Sequence, residues 1–471
     1  MQKLDPGFRA ALDSAFEHAV SHLENLDHTS VAATVDLATL RQRLAKPLPR
    51  KGVAPAQIID ELTDDVRGGL LGSAGGRFFG WVIGGALPAA VAADWLNSVW
   101  QQNAALYACS PAAAVVEEVV GEWLKEILHL PKSASFALVT GCQMAHVTCL
   151  AAARHALLAR RGWDVESDGL FSAPAIRIIS SSERHGSFER AVRLLGFGSS
   201  RIKLLDVDSE GRLLPEALET ELDKEQETPT LVLLQAGDIN IGAYDSFETL
   251  IPIAHRYKAW VHVDGAFGLW AAATPRLRHL LKGAEAADSW ATDGHKMLNV
   301  PFDSGFAFIA DPEAHRASLS IRASYLTHDA DARDQVDWNP EWSRRARGFP
   351  AYAALRQLGV EGVSALIEGC CRHALAIVKR VGALPGAEVV WEPVINQGLV
   401  RFRDLRKDAK EEDHDRRTDE MIAAIQRTGE AFFGGTTWRG RRAMRVSVCN
   451  WQTSDADVDR VVKAFAELLR S

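Results

Sequence analysis

From about residue 135 to residue 310, the chain alternates short apolar segments typical of β-strands with longer segments typical of helices. In order, FALVTG precedes AHVTCLAAARHALLARRG, AIRIISSS precedes SFERAVRLLGFG, and TLVLLQAG precedes FETLIPIAHRYK. Two further strand-like segments, AWVHVDGAF and SGFAFIA, complete the series. Because parallel strands need crossover connections that are usually helices, the alternation predicts an α/β fold with a mostly parallel sheet covered on both faces.

Helices are also predicted before this region. Residues 1–45 carry apolar side chains at every fourth position, which favours a helix. The members of this series are Phe8, Leu12, Phe16 and Val20. The segment 110–131 begins with Ser110, which can cap a helix, and Pro111, which suits the first helical turn. Between these helices, 45–55 is a connector interrupted by prolines.

The order of these patterns predicts three parts of the chain. Residues 1–80 form an N-terminal helical segment, and residues 81–355 form the large domain with the sheet. Residues 356–471 contain helices and short strands, which is typical of a smaller α+β domain.

Composition excludes several classes of protein. The net charge of −8 argues against general affinity for nucleic acid or for an anionic membrane. The longest apolar stretch, FFGWVIGGALPAAVAA, has 16 residues and contains a proline, so it is too short for a membrane span of about 20 residues. The N-terminal residues MQKLDPGFRA do not have the apolar core that is typical of a signal peptide, and the six cysteines contain no C-x-x-C pair. These features predict a cytoplasmic protein.

Lys296 is the strongest candidate for a catalytic residue. It lies in TDGHKMLNVPFDSG, from Thr292 to Gly305, where no other lysine or arginine occurs and apolar residues follow. Such surroundings indicate burial, and burial lowers the pKa of a lysine because the charged form loses its hydration. We therefore expect an amine that is partly neutral, as Schiff-base chemistry requires.

Asp264 is the natural partner of this amine. It ends the strand-like segment VHVD and is followed by small residues, 32 positions before Lys296. An acid that merely caps a turn would give the same local pattern. However, a carboxylate that can hold a pyridinium proton, followed one strand later by a lone amine, is the pair that pyridoxal phosphate needs.

Two more segments lie where ligands gather, at the carboxyl ends of predicted strands. TGCQMAH, residues 140–146, passes from a strand into a helix, so its free amides can bind a phosphate, or it can be an ordinary capped turn. His185 follows another strand and can stack on an aromatic ring, although a surface turn explains it as well.

A metal site is the rival interpretation of the same region. Two histidines and two carboxylates are available as ligands, namely His262, Asp264, Asp293 and His295. Alternation along a strand leaves only one of His262 and Asp264 at the strand end, and a metal leaves Lys296 unexplained. We therefore expect no metal ion.

The motifs, taken in order, resemble those of the group II amino acid decarboxylases, which depend on pyridoxal phosphate and include aromatic-L-amino-acid, histidine and glutamate decarboxylases. The resemblance covers nearly the whole chain, from GGRFFGWVIGGALPAAVAADWLN through TGCQMAHVTCLAAARHA, HVDGAFGLWA and DGHKMLNVPFDSG to MRVSVCNWQTSDADVDRVV. It implies fold type I, the fold of aspartate aminotransferase, with a seven-stranded sheet. It also implies a homodimer whose active sites lie at the interface, with the N-terminal segment 1–80 packing on the dimer partner.

The resemblance assigns roles to individual residues. Lys296 forms the Schiff base with the cofactor, and Asp264 binds the pyridine nitrogen. Ala266 packs below the ring, His185 stacks on the other face, and Asn240 reaches the cofactor's substituents. Four residues surround the phosphate: Gly141, Cys142, Gln143 and His295.

One departure from the family affects the expected product. Members of the family carry a loop tyrosine that protonates Cα after CO2 has left, but no tyrosine lies between Thr327 and Trp342. His328 or a water molecule is the alternative proton donor. We expect decarboxylation of an L-amino acid to an amine, with an aromatic or apolar substrate suggested by the aromatic residues at positions 78, 79 and 81. An aldehyde-forming oxidative decarboxylase or deaminase and an aldol-type lyase remain alternatives.

Overall fold

The computed structural model describes residues 5–321 and 332–470. The β-strands are β1 (Phe78–Phe79), β2 (Ser135–Val139), β3 (Arg177–Ser181), β4 (Ile202–Leu205), β5 (Thr230–Gln235), β6 (Trp260–Asp264), β7 (Ser289–Asp293), β8 (Gly305–Ile309), β9 (Ala387–Trp391), β10 (Gln397–Phe402), β11 (Phe432–Trp438) and β12 (Arg441–Ser447).

The α-helices are α1 (Pro6–Glu24), α2 (Leu37–Leu44), α3 (Pro55–Val66), α4 (Pro88–Trp100), α5 (Pro111–Ile127), α6 (Cys142–Ala159), α7 (Val165–Asp168), α8 (Gly186–Leu194), α9 (Pro215–Asp223), α10 (Phe247–Arg256), α11 (Pro312–Leu319), α12 (Gly348–Gly382), α13 (Glu411–Thr428) and α14 (Asp455–Leu468). In the two described ranges, no helix combines the length and the apolar character that crossing a membrane requires.

The large domain is built on a seven-stranded sheet with the order β2-β8-β7-β6-β5-β3-β4. Strands β3 to β7 pair in parallel, whereas β8 runs antiparallel to both of its neighbours, β2 and β7. The predicted mostly parallel sheet of the α/β fold is therefore confirmed.

Both faces of this sheet are buried, as the apolar composition of its central strands predicts. Alternate residues of β5 and β6 belong to two different apolar clusters. On one face lie Val232, Leu234, Val261 and Val263. On the other face lie Leu231, Leu233 and Trp260. The ends of the strands are consequently the part of the sheet where a ligand can reach the backbone.

The predicted helix at 110–131 is present as α5. Ser110 caps it by accepting a hydrogen bond from the amide of Ala113 at 3.3 Å, and Pro111 is its first residue. The prediction for residues 1–45 holds only in part, because the helical segment is divided into α1 and α2, with turns between them. Residues 45–54 form the expected connector without a helix.

The C-terminal lobe contains a five-stranded sheet with the order β1-β11-β12-β10-β9. Its first strand comes from far away in the sequence: Phe78 and Phe79 pair in parallel with Phe432 and Phe433. Helix α12 links the two lobes and is interrupted at Gly359, where φ is +61°. This lobe is the smaller α+β unit that the sequence predicted.

Candidate active site

The candidate site lies at the carboxyl ends of three neighbouring parallel strands. Gln235 at the end of β5 pairs with Asp264 at the end of β6, and β7 ends beside them at Asp293. The turn that leaves β7 carries His295 and Lys296. The fold therefore brings Asp264 and Lys296 together at one edge of the sheet, as the sequence predicted.

Lys296 is held by Asp293, which the sequence suggested only as a possible metal ligand. Its Nζ lies 2.8 Å from Oδ2 of Asp293, and the two side chains are 18% and 3% exposed. Burial alone lowers the pKa of Lys296, but the charge and hydrogen bond of Asp293 outweigh it, so the pKa is raised. The expected lowering of this pKa is therefore wrong. A covalent bond through Nζ requires the amine to release its proton first, and Asp293 is placed to receive it.

The turn around Lys296 is fixed by the fully buried side chain of Asn299. Its Oδ1 accepts hydrogen bonds from the amides of Gly85 at 2.8 Å and Trp451 at 3.0 Å. Its Nδ2 donates to the carbonyl of Cys449 at 2.8 Å and also lies within reach of the carbonyl oxygens of Met297 and Lys296. One amide thus ties the lysine turn to an N-terminal segment and to the C-terminal lobe.

The N-terminal segment approaches this turn very closely at Gly84. The amide of Gly84 donates to the carbonyl of His295 at 3.3 Å. A Cβ atom at position 84 would lie 2.1 Å from the carbonyl oxygen of Lys296, so only glycine fits. The backbone behind the amine therefore has little room to move.

Asp264 is buried and remains ionised. Its Oδ1 accepts from the amide of Ala266 at 3.1 Å, and Nε2 of His146 lies 3.4 Å from Oδ2. Burial alone raises the pKa of this carboxyl, but His146, His185 and Lys296 together hold it well below its usual range. A carboxylate of this kind can accept a proton-bearing ring nitrogen as a further hydrogen-bond donor.

The start of α6 forms a tight wall beside this pair. The amide of Cys142 donates to Oδ1 of Asp293 at 2.5 Å, so one of the amides predicted for a phosphate is already engaged. Burial raises the pKa of the Cys142 thiol well above its ordinary value, and Asp264 adds to the shift. A Cβ atom at Gly305 would lie 2.4 Å from Cα of Gly141, which shows how closely β8 approaches α6.

Two buried polar atoms in this region have no hydrogen-bond partner in the described part of the chain: Nε2 of Gln143 and Oγ of Ser304. Gln143 lies in the first turn of α6, and the amide of Ser304 donates to Nδ1 of His295 at 3.2 Å. Buried donors rarely remain unsatisfied unless a ligand completes them. Their position beside a helix N-terminus fits an anionic group such as the phosphate of pyridoxal phosphate.

Comparison with known proteins decides the family. Residues 39–404 match the family described as "Pyridoxal-dependent decarboxylase conserved domain". The chain belongs to this family. Its members are carboxy-lyases that use pyridoxal phosphate, which confirms the predicted cofactor and enzyme class.

Individual members of the decarboxylase family align along almost the whole chain. An aromatic-L-amino-acid decarboxylase from Bacillus atrophaeus is 25% identical over 466 residues, covering 96% of this chain and 94% of the relative. A 4-hydroxyphenylacetaldehyde synthase from Rhodiola rosea is 24% identical over 461 residues, covering 96% of this chain and 92% of the relative. The crystal structure of Oryza sativa TDC with PLP and tryptamine has a TM-score of 0.91 at 25% identity and covers 99% of each chain. Fold type I is therefore confirmed.

The remaining residues predicted for this decarboxylase are placed as follows. His185 caps α8 after β3, is exposed, and accepts from the amide of Ser187 at 3.2 Å. Ala266 is half-buried beside Asp264. Asn240 turns toward the C-terminal lobe, where its Oδ1 accepts from the hydroxyl of Thr436 at 2.7 Å. The predicted proton donor His328 lies outside the described residues.

Sequence reasoning also missed His146, which contacts Asp264 from α6. A signal was present, because His146 follows Cys142 by four positions and so lies on the same face of a helix that starts at the strand edge. Within the described ranges, the group of possible metal ligands that comes together is Cys142, His146 and Asp264, with atoms within 4.8 Å of one another. It is not the set of four considered from the sequence.

Proposed function

We propose that this decarboxylase acts on an L-amino acid with an aromatic side chain and converts it into the corresponding amine. The arrangement of Lys296, Asp293 and Asp264 at one strand edge carries the proposal. It combines an amine that can bond to the cofactor, an acid that can take the amine's proton, and a carboxylate that can bind the pyridine nitrogen.

The proposed site would hold the cofactor at the ring and at the phosphate. In this proposal, Lys296 bonds covalently to pyridoxal phosphate, Asp264 accepts the hydrogen bond of its ring nitrogen, and Ala266 and His185 lie on opposite faces of the ring. The phosphate lies against the start of α6. The residues proposed for that end are Gly141, Cys142, Gln143, His295 and Ser304, and Asn240 is proposed to complete the site from the β5 loop.

Two exposed aromatic side chains near the lysine turn support an aromatic substrate. Trp81 is 51% exposed and stacks on Phe432 at 5.3 Å, three residues before the close contact at Gly84. Phe302 is 61% exposed, and its ring centroid lies 4.4 Å from that of His295. Flat apolar side chains of this kind bind aromatic groups well. The names of the relatives, an aromatic-L-amino-acid decarboxylase and a structure with tryptamine, agree with this choice.

The reaction breaks the bond between Cα and the carboxylate, releases CO2 and adds one proton to Cα. When bound, pyridoxal phosphate supplies an electron-withdrawing ring that takes up the electron pair of the broken bond. Asp264 keeps the ring nitrogen protonated, and the closely packed turn around Lys296 keeps the amine in place. We propose His328 as the donor of the proton to Cα, on the basis of the sequence alone.

An aldehyde product is the second candidate function. It is favoured by the absence of a tyrosine between Thr327 and Trp342 and by the similarity to a 4-hydroxyphenylacetaldehyde synthase. In this reaction one amino acid, one O2 and one H2O give the aldehyde, CO2, ammonia and H2O2. If His328 delivers the proton, His328→Phe shifts the product from amine toward aldehyde and peroxide under air. An unchanged ratio of products would exclude His328 as the donor.

We also propose that the enzyme is a homodimer. Helices α1, α2 and α3 contain no buried residue among those described, although they carry large apolar side chains. The exposed examples are Phe8, Leu12, Phe16, Ile58 and Leu62. A second copy of the chain that packs on these helices would remove this apolar surface from water. The six free thiols, five of them buried, support the proposed location in the reducing cytoplasm.

The experiment that tests the proposed function is an amino acid screen with the cofactor-loaded protein. Release of CO2 is measured for all common L-amino acids, and the organic product is identified as amine or aldehyde with and without oxygen. We expect CO2 and amine with tryptophan, tyrosine or phenylalanine. CO2 release with only small or acidic amino acids would contradict the proposed substrate class.

A further inference from the structure

A continuous chain of hydrogen bonds runs behind Asp264 across one face of the large sheet. The indole Nε1 of Trp260 donates to Oγ of Ser289 at 2.9 Å, and Oγ of Ser289 lies 2.9 Å from Nδ1 of His262. Nε2 of His262 lies 2.9 Å from Nδ1 of His146, whose Nε2 faces Oδ2 of Asp264 at 3.4 Å. The four links connect the start of β7 with the carboxyl end of β6.

Strand geometry explains how this chain is assembled. Trp260, His262 and Asp264 alternate along β6, so their side chains point to the same face of the sheet. Helix α6 lies across that face and inserts His146 between His262 and Asp264. All three imidazole and indole rings are at most 1% exposed, so water does not compete for these hydrogen bonds.

The two ends of the chain are compatible with one continuous direction for its protons. An indole N–H can only donate, and an ionised carboxylate can only accept. Ser289 accepts from Trp260 and can donate its hydroxyl proton to Nδ1 of His262. His262 then carries its proton on Nε2 and donates to His146, and His146 carries its proton on Nε2 and donates to Asp264. Every donor in this arrangement is directed toward the carboxylate.

The surroundings keep His262 neutral. Burial, with a further contribution from His146, lowers the pKa of His262 to about 3. Apart from His262, the titratable groups close to His146 are the Cys142 thiol at 3.5 Å, Asp264 and, by charge interaction, His185. Helix α8 contributes the apolar ring of Phe188, which lies edge-on to His146. A neutral His262 can act only as one donor and one acceptor, as the directed chain requires.

We propose that His146 is a positioning residue that orients the Asp264 carboxylate toward the cofactor's ring nitrogen, and that His262 and Ser289 orient His146. The ring of His146 faces Oδ2, whereas Oδ1 accepts from the amide of Ala266 at 3.1 Å and lies 3.8 Å from the Cys142 thiol. The carboxylate is thus held at both oxygens, and the cofactor's ring nitrogen would approach the lone pair that remains on Oδ2. This inference rests on the proposed role of Asp264. It adds that the Asp264 carboxylate is oriented by a buried relay, the hydrogen-bond chain Trp260–Ser289–His262–His146. This relay starts at the opposite end of β6.

The test measures cofactor binding and the state of the ring nitrogen, not only activity. His146→Phe should weaken binding of pyridoxal phosphate about tenfold, because one charge-assisted hydrogen bond that fixes the carboxylate is lost. The nitrogen-15 signal of cofactor labelled at the pyridine nitrogen should move toward the unprotonated position. His146→Gln, which can donate to Asp264 through its amide, should restore the affinity to within about threefold of that of the original protein and return the nitrogen-15 signal to its original position.

His315→Phe is the matched control. His315 is also fully buried and neutral, with a pKa lowered by burial to about 3, but it contacts Ser135 and Trp338 at the far end of the sheet. This variant should lose thermal stability without a change in cofactor affinity or in the nitrogen-15 signal. If both phenylalanine variants change these two values equally, His146 has only a structural role and the proposal fails.

Two further measurements test the proposed role of Asp264 itself and the alternative that these residues bind a metal ion. Asp264→Asn should change the nitrogen-15 signal more than His146→Phe does. If it leaves the signal unchanged, the proposed role of Asp264 itself is wrong, whereas a change in Asp264→Asn without one in His146→Phe refutes only the relay. A stoichiometric metal ion whose removal by a chelator alters cofactor affinity would also overturn the proposal, because Cys142, His146 and Asp264 would then be its ligands.

Discussion

Replacing Asn299 by alanine should destabilise the protein by about 4 kcal/mol. The substitution leaves the buried amide of Gly85 and the partly buried amide of Trp451 without acceptors, at about 1–3 kcal/mol each. Asn299 also has a left-handed backbone with φ of +55°, which costs alanine about 1 kcal/mol more than asparagine or glycine. At an unfolding entropy of about 2.1 cal/mol/K per residue, the 471-residue chain should melt about 4 °C lower.

The assay is thermal and urea unfolding of the variant beside Asn97→Ala. Asn97 is 3% exposed, but its Nδ2 has no hydrogen-bond partner in the described part of the chain, so its loss should cost about 1 kcal/mol. Asn299→Asp distinguishes the accepting role of the side-chain amide from its donating role. The variant keeps an oxygen that accepts hydrogen bonds, but it replaces the donor with a carboxylate oxygen that faces the carbonyl of Cys449. The pKa of that carboxyl should be raised, so this variant should recover stability as the pH falls. Equal melting temperatures for the variants at 299 and 97 would refute the reasoning.

Three other outcomes are expected. Borohydride reduction should fix the cofactor to the peptide that contains Lys296, and Lys296→Ala should retain none after dialysis under denaturing conditions. His262 and His315 each have a folded pKa of about 3, below the unfolded value of about 6.5, so their contribution to stability is complete above pH 6.5 and is lost as the pH falls. Between pH 7 and pH 5, each of these histidines should lower the free energy of unfolding by about 2 kcal/mol. Urea unfolding at each pH should show that His315→Phe removes half of the combined pH dependence. Arg344→Ala should destabilise the protein by about 3–5 kcal/mol in urea, because it leaves Glu117 buried and unpaired, whereas replacing both with apolar residues should recover most of the loss.

The large sheet could be predicted from the sequence because its signal is local and repeated. Five of its strands, β2, β3, β5, β6 and β8, are short apolar runs that the pattern identifies, and both faces of the sheet bury these runs. The sequence did not reveal β4 and β7. The division of residues 1–45 into α1 and α2 was missed, because the apolar series ends at Val20 and the turns that follow bury only Leu26 and Val31. Periodicity alone cannot show where such a helix ends.

The residues of the candidate site could be predicted from the sequence only where they lie at the ends of recognisable strands. Asp264 ends a recognisable strand and Lys296 was expected one strand later, so their proximity could be inferred. The raised pKa of Lys296 could not, because it depends on a turn that folds Asp293 back onto the amine, and sequence patterns do not give turn geometry. His146 was missed for a similar reason: its place beside Asp264 depends on how α6 rotates over the sheet.

The pairing of β1 with β11 has a consequence for how the protein is made. The guanidinium of Arg77, next to β1, donates to the carbonyl of Glu430, a partner 353 positions later in the chain. During synthesis, Phe78 and Phe79 leave the ribosome long before their strand partners exist, so the C-terminal sheet cannot close until translation is almost complete. Contacts this distant in sequence slow folding and leave apolar strands open to aggregation. A ribosome-bound chain that stops before residue 430 should therefore depend on chaperones, and its N-terminal segment should remain open to proteases until the last strands emerge.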